Sequence, residues 1–431
     1  MGSYQLGAYK PSYLGIRINS LLDFSNVQNL HADAQALYFH EYIHFLQDII
    51  TTFGLSNSWN TYDRIRQIIS LAQKKDSELN IPLSGVEVKI HQNNLRALNE
   101  IKGDCRIRNL IGNIECDIKK ISLASSDNID QVIKGGKIHL LKLELMDKAK
   151  NIYNYIFGAE AVSESMAYLI EQKFSKNMPL EGYPYCAAKK LAEFVYKAIS
   201  ENDEFLFTIC DVSLMTTSPG FSYYIILLEM SLQEFFPKSS KELFDFSLDI
   251  LKNRGWNIFE DFEHTKTGLL HVFNRIFNRP EFKETNEWFN LIINNSFELR
   301  KSNPYIISSL YNDEPFGKSW STIVAMLGMP MVYNSENKRW FSSPVSLKQN
   351  ENNIDPIFLY AFWQLHDLLC MGKNAISCKL IEFCKASNQR DMVDDNCVTS
   401  PWEKISGEKV CSFCALWVSY GLENKKVVFN K

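Results

Sequence analysis

The chain has 431 residues, of which 45% are hydrophobic and 22% are charged, and its net charge is −4. This balance is typical of an ordinary globular protein that is long enough for two or three cores. The sequence contains neither a long run of Lys and Arg residues nor a basic stripe, which argues against nucleic acid as the main partner.

Features that direct a protein to a membrane are also missing from the sequence. The first residues, Met-Gly-Ser-Tyr-Gln-Leu, lack the charged and apolar segments of a secretion signal. The most apolar run, Phe221–Met230, is too short to span a bilayer. Ten cysteines in such a chain are typical of reduced thiols or metal ligands, and not of a disulfide framework. We therefore expect a soluble, cytoplasmic protein without a membrane partner.

The first elements that the pattern predicts are a strand and a buried helix. Residues 13–20 alternate loosely between apolar and polar side chains, as in a strand. Residues 37–54 carry apolar side chains at steps of three and four, which predicts a helix that is apolar most of the way round. We expect this helix to begin at an N-cap of Asn29 or Asp33 and to end at Gly54, before a polar turn over 56–60.

The predicted helix contains an H-E-x-x-H motif, formed by His40, Glu41 and His44. Side chains four positions apart lie on one face of a helix, so both imidazoles can reach one metal ion. Two neutral histidine ligands leave Zn²⁺ electrophilic, and Glu41 beside the open position can take a proton from the bound water. The alternative interpretation is a pair of histidines that are satisfied within an ordinary buried helix.

The next part of the chain is predicted as mixed structure. A helix is expected over 62–74, and Val86–His91 alternates as a half-buried strand does. Residues 137–146 fit either a strand or the start of a helix that continues through Tyr155. A helix is then expected over 159–174.

Two acidic residues of this later helix, Glu160 and Glu164, lie four positions apart and therefore share a helix face. The surrounding positions are small or apolar, so the face is expected to point inward. Two carboxylates directed at a core are costly unless a positive group meets them. A zinc ion held by His40 and His44 is such a group.

The segment Glu-Ala-Val-Ser-Glu at 160–164 resembles the ligand helix of the gluzincin metallopeptidases, the thermolysin-like branch of the zincins. The resemblance implies that His40, His44 and Glu160 bind zinc and that Glu41 is the general base. It implies for Glu164 the role of an acid that accepts an N–H from a ligating imidazole. In a second register, Glu164-Ser-Met-Ala-Tyr is similar to the ligand helix of aminopeptidase-type gluzincins, which makes Glu164 the ligand. We prefer Glu160 because its match is longer.

The same resemblance has two further implications. The long spacing between His44 and Glu160 requires an insertion, which we place near 75–150. A side chain that stabilises the oxyanion is also expected downstream. By chemistry alone, the candidates are His264, His271, Tyr223 and Tyr224.

The remainder of the chain is predicted to be mostly helical. Residues 329–356, rich in Asn, Ser and Pro, predict a long loop, and a helix is expected over 356–371. The fold class is therefore α+β and mainly α-helical, with a small sheet beside the active-site helix. We divide the chain into a zincin-like catalytic core (1–175), a helical region closing the active-site cleft (176–345) and a Cys-rich C-terminal region (346–431). The remaining expected helices lie at 185–200, 205–215, 222–236, 241–253, 267–277 and 286–301.

The C-terminal region carries a single C-x-x-C pair, Cys411 and Cys414. Together with Cys384 and Cys397, this pair fits a closed structural zinc site. Buried thiols in a core are the competing interpretation, since Phe413, Leu416 and Trp417 suggest that the segment packs inward. A redox role is a third.

These patterns together predict a zinc metallopeptidase, a hydrolase whose zinc-bound water is activated by Glu41 and whose substrate is a peptide or protein. The alternative is a restrained zincin scaffold that acts as a binding or regulatory protein through a partner. A third hypothesis is a protease that a regulatory partner switches on.

Overall fold

A computed structural model describes residues 7–83, 97–104, 115–126, 138–175, 182–387, 390–406 and 410–430. The described chain is mainly helical with small sheets, which confirms the predicted α+β class. The predicted strand at Val86–His91 lies outside the described residues. Within the described ranges, no helix has both the length and the hydropathy needed to cross a bilayer.

The helix with the H-E-x-x-H motif is α1, Ala32–Ile50. Its N-cap is His31, whose Nδ1 accepts a hydrogen bond from the Ala34 N–H at 3.3 Å. The predicted caps were wrong: Asn29 belongs to a short 3₁₀ turn that precedes the helix, and Asp33 lies in its first turn. Most of α1 is buried, as its two apolar stripes predict.

The helix ends at Ile50, four positions before the predicted end at Gly54. Thr51 has extended backbone angles, and its hydroxyl donates to the Gln47 carbonyl at 2.6 Å and accepts from the Gly54 N–H at 3.0 Å. Thr51 therefore ends α1 and caps α2, Thr52–Gln73. The polar turn that was expected over 56–60 lies inside α2 and is helical. Gly54 is needed for packing, since a Cβ there would stand 2.1 Å from the Gln47 carbonyl oxygen.

Three small sheets lie among the helices. One has the strand order β1-β2-β7-β8, with β2 and β7 parallel and the other pairs antiparallel. A second is the antiparallel set β4-β5-β6, and a third is the parallel pair β3-β9. The strands are β1 Gly7–Lys10, β2 Gly15–Ile18, β3 Glu78–Ile81, β4 Cys116–Ser126, β5 Ile138–Asp147, β6 Ile152–Phe157, β7 Met329–Tyr333, β8 Arg339–Ser342 and β9 Lys426–Phe429.

Two predictions about these strands have clear outcomes. The segment 137–146 is a strand, β5, and not the start of a helix. The prediction of a long loop over 329–356 was wrong, because the segment contains β7 and β8. The partner of β7 is β2, more than 300 positions earlier in the chain, and no local pattern reveals such a pairing.

The other expected helices are present with shifted ends. The helix that carries Glu160 and Glu164 is α3, with the predicted bounds Ala159–Phe174, and it packs against α1. Further helices are α4 Ala187–Val195, α5 Asp203–Leu214, α6 Pro219–Leu232, α7 Ser240–Asn253, α8 Ile258–Ile276, α9 Lys283–Ser302, α10 Lys318–Leu327, α11 Ile357–Met371, α12 Ile381–Lys385, α13 Asn396–Thr399 and α14 Ser412–Ser419.

One hydrophobic cluster joins the three predicted regions. Strand pairing also crosses both predicted boundaries, because β2 pairs with β7 and β3 pairs with β9. The division at 175 and 345 remains a prediction about the chain. The pairings place β1 and β2 directly beside α1, as was expected of a small sheet next to this helix.

Candidate metal centre

Three side chains from two packed helices meet at one point. The Nε2 atoms of His40 and His44 on α1 lie 3.7 and 3.6 Å from the Oε2 atom of Glu164 on α3. One nitrogen or oxygen atom from each residue lies within 4.8 Å of the others, and the group is largely buried. Such a group can hold a metal ion. Two imidazoles and one carboxylate leave a further coordination position open, as in catalytic sites.

Glu160, the preferred third ligand of the sequence analysis, is not part of this group. It lies one turn earlier on α3 and lines the adjoining cavity. The geometry brings the two histidines together with Glu164, the ligand of the second register, and the role of Glu160 stays a prediction. Both residues share one helix face, so only the way in which α3 packs against α1 selects between them.

Each imidazole is oriented by a partner at its other nitrogen. The Nδ1 atom of His40 lies 2.7 Å from Oε2 of Glu171, and Nδ1 of His44 lies 2.8 Å from Oε1 of Gln47. The Gln47 amide nitrogen donates to the Ser163 carbonyl at 3.0 Å, which leaves its oxygen to accept from His44. With Nδ1 engaged in this way, both imidazoles present Nε2 to the Glu164 carboxylate.

Sequence reasoning missed both orienting residues. It gave this role to Glu164, whereas Glu171 and Gln47 perform it for the two histidines. A signal was present, because Glu171 lies two helical turns after Glu164 and Gln47 lies one turn after His44. Spacing alone does not distinguish them from the other polar residues of the same helices.

Glu41 is buried and lines the same cavity. Its carboxylate faces β1, where a Cβ at Gly7 would stand 2.6 Å from the Glu41 Oε1 atom, so Gly7 leaves the space that the carboxylate occupies. Burial raises the pKa of Glu41, and the nearby His40 and His44 oppose that rise. A carboxylate with a raised pKa is suited to general-base chemistry near neutral pH.

The pKa values of the three clustered residues are all shifted by burial and by one another. Burial lowers the pKa of His40, but hydrogen bonds to Glu164 and Glu171 outweigh it and hold the pKa well above the usual value. The pKa of His44 is raised in the same way, against burial, by the charge of Glu164. Burial raises the pKa of Glu164, and the two imidazoles more than reverse that effect. The group therefore attracts positive charge, which protons or a metal ion can supply.

The cavity beside the group has a volume of about 230 Å³ and is bounded by β1, α1, α2 and α3. Two phenols line it. Tyr9 donates from its hydroxyl to Oδ2 of Asp48 at 2.8 Å, and the ring of Tyr185 lies 6.0 Å from the His40 ring, measured between centroids. Asp48 is buried, and this burial raises its pKa to about 6 against the hydrogen bonds from Ser12, Tyr9 and Ser58.

The predicted candidates for the oxyanion donor lie elsewhere. Tyr223 is fully buried and donates to the Ala188 carbonyl at 3.0 Å, and the His264 ring packs against Trp59. Neither these two residues nor His271 and Tyr224 are among the described residues that line the cavity. Tyr185 was missed because no motif surrounds it. It reaches the cavity from the segment that precedes α4.

Three of the four predicted cysteine ligands, Cys384, Cys397 and Cys411, line a second, small cavity. Cys378 joins them there. The fourth predicted ligand, Cys414, is buried, and its thiol donates to the Pro401 carbonyl at 3.1 Å instead. A side-chain hydrogen bond also joins Cys414 to Cys411. Whether this region binds zinc, and through which cysteines, stays a prediction.

Comparison with protein-family models, with curated proteins and with solved structures gives no match to this chain. The site is therefore interpreted from its own geometry.

Proposed function

We propose that this chain is a zinc-dependent metallopeptidase of gluzincin type. One observation carries the proposal: the Nε2 atoms of His40 and His44 and a carboxylate oxygen of Glu164 converge beside an open cavity that Glu41 also lines. Two imidazoles and one carboxylate suit zinc, which takes three protein ligands in catalytic sites and leaves one position for water or substrate. A bound zinc ion supplies a Lewis acid that lowers the pKa of water to about 7.

Glu41 is assigned the general base. It takes a proton from the attacking water and delivers it to the nitrogen that leaves when the peptide bond breaks. The raised pKa of Glu41 and its place next to the ligand group support this role. Glu171 and Gln47 hold the two imidazoles so that each keeps its Nε2 atom directed at the metal.

The substrate is proposed to be an extended peptide that lies along β1. This strand is at the edge of its sheet, and Gly7, Ala8 and Tyr9 all line the cavity. An edge strand offers backbone N–H and C=O groups to an added strand, which positions a peptide without selecting its side chains. A peptide in that place runs past Glu41, because the Glu41 carboxylate occupies the space that a Cβ at Gly7 would fill.

Tyr185 is assigned the oxyanion donor, because it lines the cavity and its ring lies beside that of His40. Removing a donor of this kind lowers kcat by about 10²–10³-fold. We expect that loss for Tyr185→Phe with the metal retained, and an unchanged rate for Tyr224→Phe, which does not line the cavity. Equal rates for both variants would exclude the assignment.

The test of the proposed reaction is Glu41→Gln. Zinc content is measured by mass spectrometry, and cleavage is measured on a peptide library and on an unfolded protein. We expect the variant to keep its zinc and to lose about 10²–10⁴-fold in rate, the usual contribution of general acid–base catalysis. Retained zinc with unchanged cleavage would contradict the mechanism.

A second function, a binding or regulatory protein on a zincin scaffold, is favoured by one observation. When His40 and His44 are protonated, they form with Glu164 and Glu171 a buried network that satisfies its own charges in the absence of a metal. If this is the function, the wild-type chain will take up no zinc when zinc is supplied and will cleave no peptide. Turnover that requires zinc would rule it out.

A further inference from the structure

The C-terminal region brings four thiols to one place. Cys378 precedes α12, Cys384 lies in α12, Cys397 lies in α13, and Cys411 immediately precedes α14. All four line a single cavity of about 20 Å³. Their spacing in the sequence is long and irregular, so the fold and not a local motif assembles them.

The surroundings of the four thiols suit a thiolate-bound cation. Apart from the thiols, the lining is mostly apolar, with Leu380, Met392, Val393 and Phe413 among its residues. No carboxylate is among the described residues that line it, and Lys404 is its one basic residue. The Nζ atom of Lys404 donates to Sγ of Cys397 at 3.1 Å, a contact that stabilises negative charge on sulfur.

The chain around the thiols has little regular structure to hold it. The helices α12, α13 and α14 have five, four and eight residues. The segments are joined by isolated backbone hydrogen bonds, among them the bond from the Cys378 N–H to the Cys397 carbonyl at 2.8 Å. Phe413 and Trp417 join these segments to the hydrophobic core, and a structural metal ion would add a direct link between the segments themselves.

The size of the cavity favours a single ion over a larger cluster. About 20 Å³ is little more than the 10–15 Å³ that one water molecule needs. Among the described residues, no three of the sulfur atoms lie within 4.8 Å of one another. Sulfur ligands of one zinc ion stand about 3.8 Å apart, for Zn–S distances of about 2.3 Å. Binding therefore requires the thiols to turn inward and close the cavity.

We propose that Cys378, Cys384, Cys397 and Cys411 bind one zinc ion, which ties the C-terminal region together and is separate from the site on α1. Cys378 replaces Cys414 in this set. The C-x-x-C spacing and a side-chain hydrogen bond to Cys411 favour Cys414. Its thiol also donates to the Pro401 carbonyl, however, and Cys414 does not line the cavity.

The experiment measures zinc and iron per chain in a His40→Ala background, which removes metal from the other site. The protein is purified in a reducing buffer without chelators, and metal is measured by mass spectrometry. We expect one zinc per chain in His40→Ala and none in His40→Ala/Cys378→Ser. The matched control is His40→Ala/Cys414→Ser, which keeps a donor for the Pro401 carbonyl and is expected to retain the zinc.

Three outcomes would overturn the proposal. The first is no zinc in the His40→Ala protein, and the second is zinc that survives Cys378→Ser but is lost in Cys414→Ser. The third is iron with a visible absorption band, which would indicate an iron–sulfur cluster instead. If the Cys378→Ser chain does not fold, titration of folded His40→Ala protein with a mercurial reagent decides. Release of one zinc as four thiols react supports the site, and reaction of the thiols without zinc release refutes it.

Discussion

Among the described residues, two groups of buried charged side chains differ in how their charges balance. In the first, Arg300 and Asp211 are both fully buried and form an ion pair. Arg300 also donates to the Pro304 carbonyl at 2.8 Å, and the Ser308 hydroxyl donates to Asp211 at 2.6 Å. One positive and one negative charge neutralise each other, and neither residue lines the cavity at the metal site.

The second group places two imidazoles among the carboxylates of Glu41, Glu164 and Glu171. Glu41, Glu164 and the two histidines border an open cavity. When the imidazoles are neutral, the three carboxylates give this group an excess of negative charge, and Lys102 lines the same cavity. The comparison separates a closed pair, which belongs to the scaffold, from an open group that can accept a cation from outside.

The largest expected effect concerns the closed pair. Arg300→Met leaves Asp211 buried without its partner, and breaking a buried pair in this way costs about 3–5 kcal/mol of stability. Chemical denaturation measures the loss, and zinc uptake by the folded fraction should not change. The double variant Arg300→Met/Asp211→Leu should recover most of the stability. A double variant as unstable as the single one would show that the pair contributes more than charge balance.

At the open group, replacement of the proposed ligand Glu164 should reduce zinc binding, whereas Arg300→Met is expected to reduce stability and leave zinc uptake unchanged. Glu164→Gln removes the charged ligand atom, and we expect zinc affinity to fall by more than about 100-fold, the upper end of what loss of an orienting partner costs. Competition with a chromophoric chelator measures the affinity. Glu160→Gln is the matched control on the same helix face and should bind zinc normally. If Glu160→Gln loses the metal and Glu164→Gln keeps it, the first register is correct.

A smaller effect is expected from the residue behind His40. Glu171→Gln keeps a hydrogen-bond acceptor but removes the charge that orients the imidazole and makes it more basic. Changes of this kind reduce metal affinity by about 10–100-fold. The same titration measures the effect, and stability in denaturant should change much less than in Arg300→Met. Unchanged zinc affinity would mean that Glu171 only fills space.

The smallest expected effect is the change in zinc affinity for each unit of pH. Zinc needs neutral imidazoles, while the carboxylates raise the pKa of His40 and His44. Zinc affinity should therefore fall as pH decreases through the raised values, by about tenfold per pH unit for each proton displaced.

The contribution of the two histidines to the stability of the metal-free chain should change with pH in the direction opposite to zinc affinity. The raised pKa values of His40 and His44 add stability that is fully present below the ordinary value of 6.5 and is lost as pH rises through the raised values. The lowered pKa of Glu164 adds stability above 4.5 that is lost as pH falls. Denaturation of metal-free protein between pH 6.5 and 9, compared with His40→Ala/His44→Ala, measures the histidine contribution. Parallel curves would contradict it.

Much of the fold was predictable because its long helices carry their own pattern. The bounds of α3 were predicted as they are found, and α1 was recognised from its apolar stripes. The end of α1 was missed, because Thr51 closes one helix and begins the next through hydrogen bonds that a polar sequence does not reveal. The strands β7 and β8 were missed because β7 pairs with a strand near the other end of the chain.

The sequence by itself determined which residues share a helix face: His40 with His44, and Glu160 with Glu164. This follows from the period of a single helix, which is a local property. Only the tertiary structure decided that Glu164 meets the histidines, that Glu171 and Gln47 orient them, and that Cys378 lies with Cys384, Cys397 and Cys411. Those choices depend on how separate elements pack, and packing is fixed by contacts between residues far apart in the chain.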